Sequence, residues 1–387
     1  MRYQLLPKKS INSETFDIFV EPLNDIIPES PALLPKGHHP LAIQTTHLVN
    51  SLIYYHLHEY DSARHLIQDL KDNEFARQRI APKKGLHRST FGDTLNNRGA
   101  EQLIYIFKKL YNKAAESIPK EYKELGELIA IDGTLIDAVM SMYWADYSKN
   151  SKKAKGHFGF NINQSIPSSI YLTTGKDPER PFVAMILTKN QTGVMDRGYQ
   201  CHKSFDQLQK DNKYFVCRIK KSTTKTIIKQ NKIKTDSYIF FDAIVLLGTP
   251  GINQTEYPLR VVGYKVGNTE YFVATNRCDL SAEQIATIYK LRWKIETFFR
   301  WWKQHLKVYH IMSRTEHGVM VQILGGLITY LLMVIYCRKQ FNEPVSINRV
   351  REIRSSISND ITQICVCFSW QFVGNEHCSY LYLHAIT

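Results

Sequence analysis

The sequence lacks paired cysteines and an N-terminal apolar segment. Its seven cysteines are scattered between residues 201 and 378 without a C-x2-C spacing, so no zinc cluster or disulfide framework is predicted. The first residues, MRYQLLPKKSINSETF, contain no apolar run after their charges, so no secretory signal peptide is predicted. We therefore expect a cytoplasmic chain whose thiols are reduced.

Long apolar runs are also scarce, with one exception between residues 319 and 336. The run VMVQILGGLITYLLMVIY is nearly uncharged and has about the minimum length for a membrane span. However, Gln322, Thr329 and a pair of glycines interrupt it, and a basic soluble protein needs a helix buried on all sides. We expect a core helix here and no membrane partner.

Acidic residues are outnumbered by basic ones. The 387 residues include 50 Lys and Arg but only 36 Asp and Glu, giving a net charge of +14, and 12% of the residues are aromatic. This balance favours a polyanionic partner, and nucleic acid is the first candidate. The length suggests two or three domains.

The N-terminal third of the chain divides into two parts. Residues 1–40 contain recurring prolines and few periodic runs, so they predict an extended arm. Residues 41–122 contain four helix-like segments and predict a small all-helical domain. In the third segment, Ser89 is the expected N-cap, and Arg88 and Arg98 could reach phosphates or base edges. This segment predicts either a DNA-reading helix or a connecting helix with a solvated polar face.

A mixed α/β core is predicted to begin near residue 123. The segment LGELIAIDGTLID predicts a buried strand ending at Asp132 and Gly133. GHFGFNINQ and SSIYLTTGK predict two more strands in an antiparallel arrangement, and QTGVMDRGY predicts a strand running into Asp196. Residues 123–212 are expected to form the first part of this core.

Basic strands and then helices are predicted to follow. Eight Lys or Arg residues and no acid lie between residues 213 and 234. Strand-like runs continue beyond them, so residues 213–280 predict a basic β-rich continuation and insertion that could track a DNA backbone. Residues 281–340 are expected to complete the core with helices, and residues 341–387 form a C-terminal tail.

The segment YKLRWKIETFFRWWK predicts a helix beginning near Tyr289. On such a helix Tyr289, Arg292, Glu296 and Lys303 share one stripe about 60° wide, beside an apolar face. A carboxylate among these groups suits a metal ion and a phosphodiester, with the bases holding the phosphate. The alternative is an ordinary amphipathic helix with an Arg292–Glu296 pair.

Three acids stand out by position, namely Asp132, Asp196 and Glu296. Ligands gather at strand ends in α/β sheets, and three acids converging there would repel one another unless divalent cations lay among them. Two magnesium ions would relieve that repulsion and could promote in-line attack on phosphorus.

These motifs resemble the DDE transposases of bacterial insertion sequences, in the group with a Tyr-Arg-Glu-Lys signature, the insertion sequence four family. The resemblance rests on IAIDGT, KGHFGF, MDRGY and YKLRWKIETFFRWWK and spans roughly residues 125 to 332. It implies an α/β fold with a ribonuclease H-like catalytic core, a mixed sheet flanked by helices. A β-rich insertion would interrupt this core, and a small all-helical N-terminal domain would precede it.

The resemblance also implies roles for individual residues. Asp132, Asp196 and Glu296 would be catalytic and would hold two Mg²⁺ ions, or Mn²⁺ instead. Tyr289, Arg292 and Lys303 would hold the transposon end. Further side chains are expected at the DNA, and they are Trp293, which could stack on a flipped base, Arg197, Tyr199, Lys155, Arg88 and Arg98.

The activity implied is transposition of double-stranded DNA. The protein would bind terminal inverted repeats, cleave the ends and join the 3′-hydroxyl to target DNA, as a homodimer in the active complex. Its location would be cytoplasmic, at the nucleoid of a prokaryote. Two alternatives remain open, a ribonuclease H-like structure-specific nuclease and a catalytically dead, transposase-derived DNA-binding protein.

Overall fold

A computed structural model describes residues 14–34, 40–306 and 310–370, with side chains up to residue 358. The last part of the predicted C-terminal tail, residues 371–387, lies outside the described residues, as do residues 1–13 of the predicted arm.

A ten-stranded mixed sheet forms the centre of the described chain. Its strands are β1 (Glu127–Ala138), β2 (Asp146–Ser148), β3 (Ser151–Asn161), β4 (Ile166–Thr174), β5 (Gln191–Met195), β6 (Tyr214–Arg218), β7 (Lys225–Gln230), β8 (Ile239–Leu247), β9 (Leu259–Val266) and β10 (Thr269–Thr275). The order across the sheet is β2-β3-β1-β5-β6-β10-β9-β8-β7, and β4 pairs with β3.

The strand directions divide the sheet into two parts. Strands β1, β3 and β4 are antiparallel neighbours, which confirms the antiparallel start predicted from the sequence. Strands β5 and β6 then run parallel to β1, as is common for strands covered by helices on both faces. Strand β10 pairs antiparallel with β6, and β9, β8 and β7 extend the sheet from it. The predicted β-rich insertion therefore continues the central sheet.

Helices cover both faces of this sheet. The α-helices of the described residues are α1 (Glu14–Val20), α2 (Ile26–Glu29), α3 (Thr45–Leu57), α4 (Ala63–Asp72), α5 (Arg88–Asn97), α6 (Ala100–Ser117), α7 (Pro181–Ile186), α8 (His202–Lys210), α9 (Ala282–Leu291), α10 (Trp293–His305), α11 (Glu316–Phe341) and α12 (Ile347–Trp370). Short 3₁₀ turns lie at Glu21–Leu23, Lys123–Leu125 and Arg197–Tyr199, and a π-helical turn lies at Ala76–Ile80.

Two hydrophobic clusters lie on opposite faces of the central strands. Successive side chains of a strand point to opposite faces, so Leu128 and Ala130 of β1 join the cluster that contains α9 and α10. Ile129 and Ile131 of the same strand join the cluster that contains Phe205 of α8. Helices α8 and α9 therefore pack on different faces of the sheet.

Helix α11 is the apolar segment that has the length of a membrane span. It is long and apolar enough to cross a membrane, but 89% of its most apolar window is buried inside the protein. The helix packs against α3, α5 and α6, and a Cβ atom at Gly325 would lie 2.9 Å from the Cβ of Leu52. The predicted core helix is confirmed.

The extended arm predicted for residues 1–40 is wrong for residues 14–34. These residues form α1, a 3₁₀ turn and α2, and Phe16 and Phe19 are buried. The ring of Phe16 packs edge-on against Phe75, and that of Phe19 packs against Tyr336. The prolines misled the prediction because Pro22 occupies the first turn of its 3₁₀ helix, where a missing backbone N–H costs little.

The four helical segments predicted between residues 41 and 122 are α3 to α6. The predicted cap of the third is wrong, because α5 begins at Arg88 with His87 at the N-cap position and no side-chain capping bond. Ser89 lies inside the first turn, where its hydroxyl does not cap the helix.

Candidate active site at the edge of strands β1 and β5

The pairing of β1 with β5 places the two aspartates at one edge of the sheet. The parallel register ends with Ile131 beside Met195, so Asp132 and Asp196 are the next residues of adjacent strands. Asp132 does not end its strand as predicted, because β1 continues to Ala138 in pairing with β3. The pairing nevertheless places Asp132 beside Asp196, because β5 ends at Met195.

Asp196 is held as an anion by several donors. The Tyr289 hydroxyl donates a 2.9 Å hydrogen bond to its Oδ1, and the Arg218 guanidinium lies 3.7 Å from the same oxygen. Burial raises the pKa of Asp196, but the Arg197 backbone N–H, the Tyr289 hydroxyl and the nearby guanidinium groups of Arg292 and Arg218 outweigh it, so the pKa is lowered.

The surroundings of Asp132, unlike those of Asp196, disfavour the ionised carboxylate. Burial raises its pKa to about 6, opposed by Arg292 and by the Gly133 N–H, while the carboxylates of Glu179 and Glu296 raise it further. The Gly133 N–H donates to Oδ1 over 2.9 Å, and Arg292 Nη1 lies 3.5 Å from Oδ2. Asp132 and Asp196 thus differ in proton affinity, as in sites that separate acid and base roles.

Arg292 links the third acid to the first. Its Nη2 donates to Glu296 over 2.6 Å, while its Nη1 faces Asp132. Only 8% of Arg292 is exposed, so its charge is compensated mainly by these two carboxylates. The i, i+4 ion pair of the alternative interpretation is therefore present, but it also bridges to a strand of the sheet.

The predicted signature helix is in fact two helices. Helix α9 begins at Ala282 with a Ser281/Gln284 capping box and ends at Leu291, and α10 begins at Trp293 after the single intervening residue Arg292. Tyr289 therefore lies in the last turn of α9, while Glu296 and Lys303 lie on α10. The helix begins before Tyr289 because the capping box, not the signature, marks its N-terminus.

Lys303 and Trp293 occupy different surroundings on α10. Lys303 donates to the backbone carbonyl of Leu135 over 2.7 Å, and burial lowers its pKa. This contact ties α10 to β1 beyond Asp132. Trp293 is 58% exposed, so its indole ring is available to stack on a base.

A fourth acid, Glu179, lies beside the site and was not predicted from the sequence. A Cβ atom at Gly133 would approach its Oε1 to 2.7 Å, so the absence of a side chain at residue 133 makes room for this carboxyl group. Lys155 Nζ lies 3.6 Å from Glu179 and donates to the Asp177 carbonyl over 2.8 Å. The glycine after Asp132 was the only sequence signal for this close approach.

Other predicted DNA contacts are placed differently by the structure. Arg197 is exposed next to Asp196. Tyr199 is 3% exposed, and nearby Glu179 adds to the rise that burial causes in its pKa, so its ring is not accessible to DNA here. Arg88 is exposed on α5, whereas Arg98 pairs with Asp93 at 3.1 Å. Helix α5 packs against α11, away from the acids.

The acids have the chemistry of a magnesium site, although their side chains are not arranged around a common point. Carboxylate oxygens are the ligands that Mg²⁺ prefers, and the acids lie at one sheet edge. Within the described ranges no three acidic, imidazole or thiol groups already converge on one point, because Arg292 bridges Asp132 and Glu296 while Tyr289 holds Asp196. A cation would take over the compensating role that the guanidinium has here.

The mixed sheet flanked by helices, with these acids beside the β1–β5 pairing, is consistent with the fold of a DDE transposase. The family model described as the transposase DDE domain matches residues 123–332, more than half of the chain. The chain belongs to this family.

Curated relatives carry matching names. A protein of Synechocystis sp. named as a transposase for insertion sequence element IS4SA is 27% identical over 290 residues, covering 71% of this chain and 79% of its own length. A Geobacillus stearothermophilus protein named as a transposase for insertion sequence element IS5377 is 26% identical, covering 73% of this chain and 77% of its own. The likeness is to transposases of insertion sequences, as the signature residues indicated.

Proposed function

We propose that this chain is a metal-dependent DNA transposase that binds the terminal inverted repeats of an insertion sequence. It cleaves the ends of the element and joins the 3′-hydroxyl to target DNA. The observation that carries this proposal is that Asp132 and Asp196 lie next to each other where β1 pairs with β5, while Arg292 links Asp132 to Glu296 of α10. The names of the relatives support transposition over a structure-specific nuclease.

Asp132, Asp196 and Glu296 would hold the divalent cations, two Mg²⁺ or Mn²⁺ ions per site. When bound, such ions activate a water or 3′-hydroxyl for in-line attack and stabilise the leaving oxygen. The lowered pKa of Asp196 keeps its carboxylate ionised and ready to bind a cation. Asp132, with a pKa of about 6, is ionised at neutral pH. Without a cation, its negative charge destabilises the folded protein.

Arg292 and Tyr289 would take the transposon end. A guanidinium binds phosphate with the same two-donor geometry that it uses for carboxylates. Arg292 can therefore exchange its carboxylate partners for a DNA phosphate, which frees Asp132 and Glu296 for metal. Tyr289 orients Asp196 through its 2.9 Å hydrogen bond, and Lys303 positions α10 against β1.

The strand arrangement supports a ribonuclease H-like core. Three antiparallel strands followed by two parallel ones, in the order β4-β3-β1-β5-β6, place the acids centrally. The helical region α3 to α6 is the proposed DNA-binding domain, and Arg88 is one of its exposed basic side chains. A homodimer would bring two ends together, and the cytoplasm is the proposed location.

The test is cleavage of DNA that carries the terminal repeats flanking the gene. The wild-type chain should cut these ends in Mg²⁺ or Mn²⁺, and Glu296→Gln should still bind them but not cut. Glu124→Gln, at an exposed position in the 3₁₀ turn before β1, is the matched control and should cut normally. Cleavage by Glu296→Gln at the wild-type rate would refute the proposed catalytic role.

A further inference from the structure

A basic groove lies beside the candidate active site. We call it the α8 groove, since it is formed by the start of α8, the turn after Asp196 and the loop between β8 and β9. Its volume is about 580 Å³, and its basic lining consists of Arg180, Arg197, His202, Lys203 and Lys220.

The walls of the α8 groove are fixed by internal hydrogen bonds. His202 Nδ1 lies 2.6 Å from the Asn253 carbonyl oxygen. The Asp206 carboxylate accepts from the backbone N–H groups of Glu256 and Tyr257 over 3.1 and 3.2 Å. These contacts attach the loop between β8 and β9 to α8, so the shape of the groove is fixed by hydrogen bonds within the fold.

The positive charge in the groove is uncompensated. Among the described residues none of the four Arg and Lys side chains of the lining forms an ion pair, and all four are exposed. The two acids of the lining are already engaged, Asp206 with backbone N–H groups and Glu256 with Lys210 at 2.8 Å. A groove with four free cations and no free acid suits a phosphodiester backbone.

The groove begins at the acids but lies on the other face of the sheet from the signature helices. Arg197 directly follows Asp196, and Arg180 donates to the Gly198 carbonyl over 3.1 Å. Helix α8 packs in one hydrophobic cluster, whereas Tyr289 on α9 packs in the other. DNA bound along α9 and α10 would therefore approach the acids from one face, and DNA in the α8 groove from the opposite face.

Strand transfer requires two DNA molecules to meet at the same acids. We infer that the α8 groove binds the phosphate backbone of the target DNA, while the transposon end lies against Tyr289 and Arg292. This inference rests on the proposed function and adds a separate path for the second substrate. Lys203 and Lys220 are its most direct contacts, since both are exposed and unpaired among the described residues.

The experiment makes three measurements on the full-length chain. They are the affinity for terminal repeats, the rate of end cleavage and the rate at which pre-cleaved ends are joined to plasmid DNA. The double variant Lys203→Ala/Lys220→Ala should bind and cleave ends within about twofold of wild type but join them at least about tenfold more slowly. For binding to plasmid DNA, the slope of log K against log salt concentration should become shallower by roughly two. Each lost phosphate contact removes about 0.9 from that slope. Lys123→Ala/Lys189→Ala removes the same charge at exposed positions before β1 and β5, at the ends of these strands opposite to the acids, and should behave as wild type.

Other outcomes would overturn this inference. Slow cleavage of uncut ends with normal joining of pre-cleaved ends would assign the groove to the donor DNA that flanks the element. Normal rates in all three reactions would show that the groove binds no DNA in this pathway. A wild-type chain that neither binds nor cleaves its ends would refute the proposed function itself, which distinguishes that failure from the other two.

Discussion

Asp132 and Asp196 are expected to affect stability in opposite directions. The change is Asp132→Asn, compared with Asp196→Asn, in metal-free protein. Asp132 has a raised pKa of about 6 and Asp196 a lowered one. An acid with a raised folded-state pKa destabilises the fold once it is ionised, whereas one with a lowered pKa stabilises it.

The magnitude for Asp132 follows from its pKa. A rise from 3.8 to about 6 corresponds to roughly 3 kcal/mol, because one pKa unit is about 1.36 kcal/mol. Stability is unaffected below pH 3.8, falls as pH rises towards 6 and stays lowered above it. Asp132→Asn removes this cost and leaves Arg292 paired with Glu296, so it should increase the free energy of unfolding at pH 8 by about 1–3 kcal/mol.

The assay is urea denaturation in a chelator at pH 8 and pH 5. The gain from Asp132→Asn should be about half as large at pH 5, since part of the wild-type carboxyl group is protonated there. Asp196→Asn should lower stability at pH 8, because Arg218 and Tyr289 lose their anionic partner. A destabilised Asp132→Asn variant at pH 8 would refute the assignment of Asp132 as a partly buried carboxyl group whose ionisation destabilises the fold.

Three further predictions concern single side chains. Arg292→Ala should weaken binding of the terminal repeats about 10- to 100-fold in gel-shift titrations. This is the loss expected for one charged phosphate contact of about 1.5–3 kcal/mol. Unchanged binding would contradict a phosphate-binding role for Arg292. Trp293→Ala should leave thermal stability within about 0.5 kcal/mol, because the ring is exposed, yet should abolish the fluorescence change of a 2-aminopurine at the cleaved end. Gly325→Val should destabilise the fold by about 1–3 kcal/mol in urea denaturation, because its side chain would meet Leu52; a neutral effect would contradict the close packing of α11.

The strands and acids of the core could be predicted from the sequence because each signal is local. Asp132 and Asp196 follow short apolar runs, and the strand pattern of residues 127–195 matches the structure closely. The parallel pairing of β1 with β5 was not visible in either segment alone. It is this long-range pairing that brings the two acids together.

The parts that could not be predicted depend on contacts between distant segments. Glu179 has no motif of its own, and its place over Gly133 follows from how β4, α7 and β1 pack. Tyr199 lies in the turn that follows Asp196 but is buried, so its position in the sequence suggested an accessibility that the fold removes. The signature segment forms two helices separated at Arg292, which likewise depends on how α9 and α10 pack on the sheet.

The metal-binding role of the acids is the central claim, and metal exchange in an Asp132→Cys variant tests it most directly. A thiolate binds Mg²⁺ poorly and binds softer cations better. End cleavage by Asp132→Cys should therefore be lost in Mg²⁺ and partly recovered in Mn²⁺ or Cd²⁺, while Asp137→Cys, an exposed position on the same strand, should cleave normally in Mg²⁺. Wild-type cleavage by Asp132→Cys in Mg²⁺ would contradict a metal ligand at the end of the β1–β5 pairing.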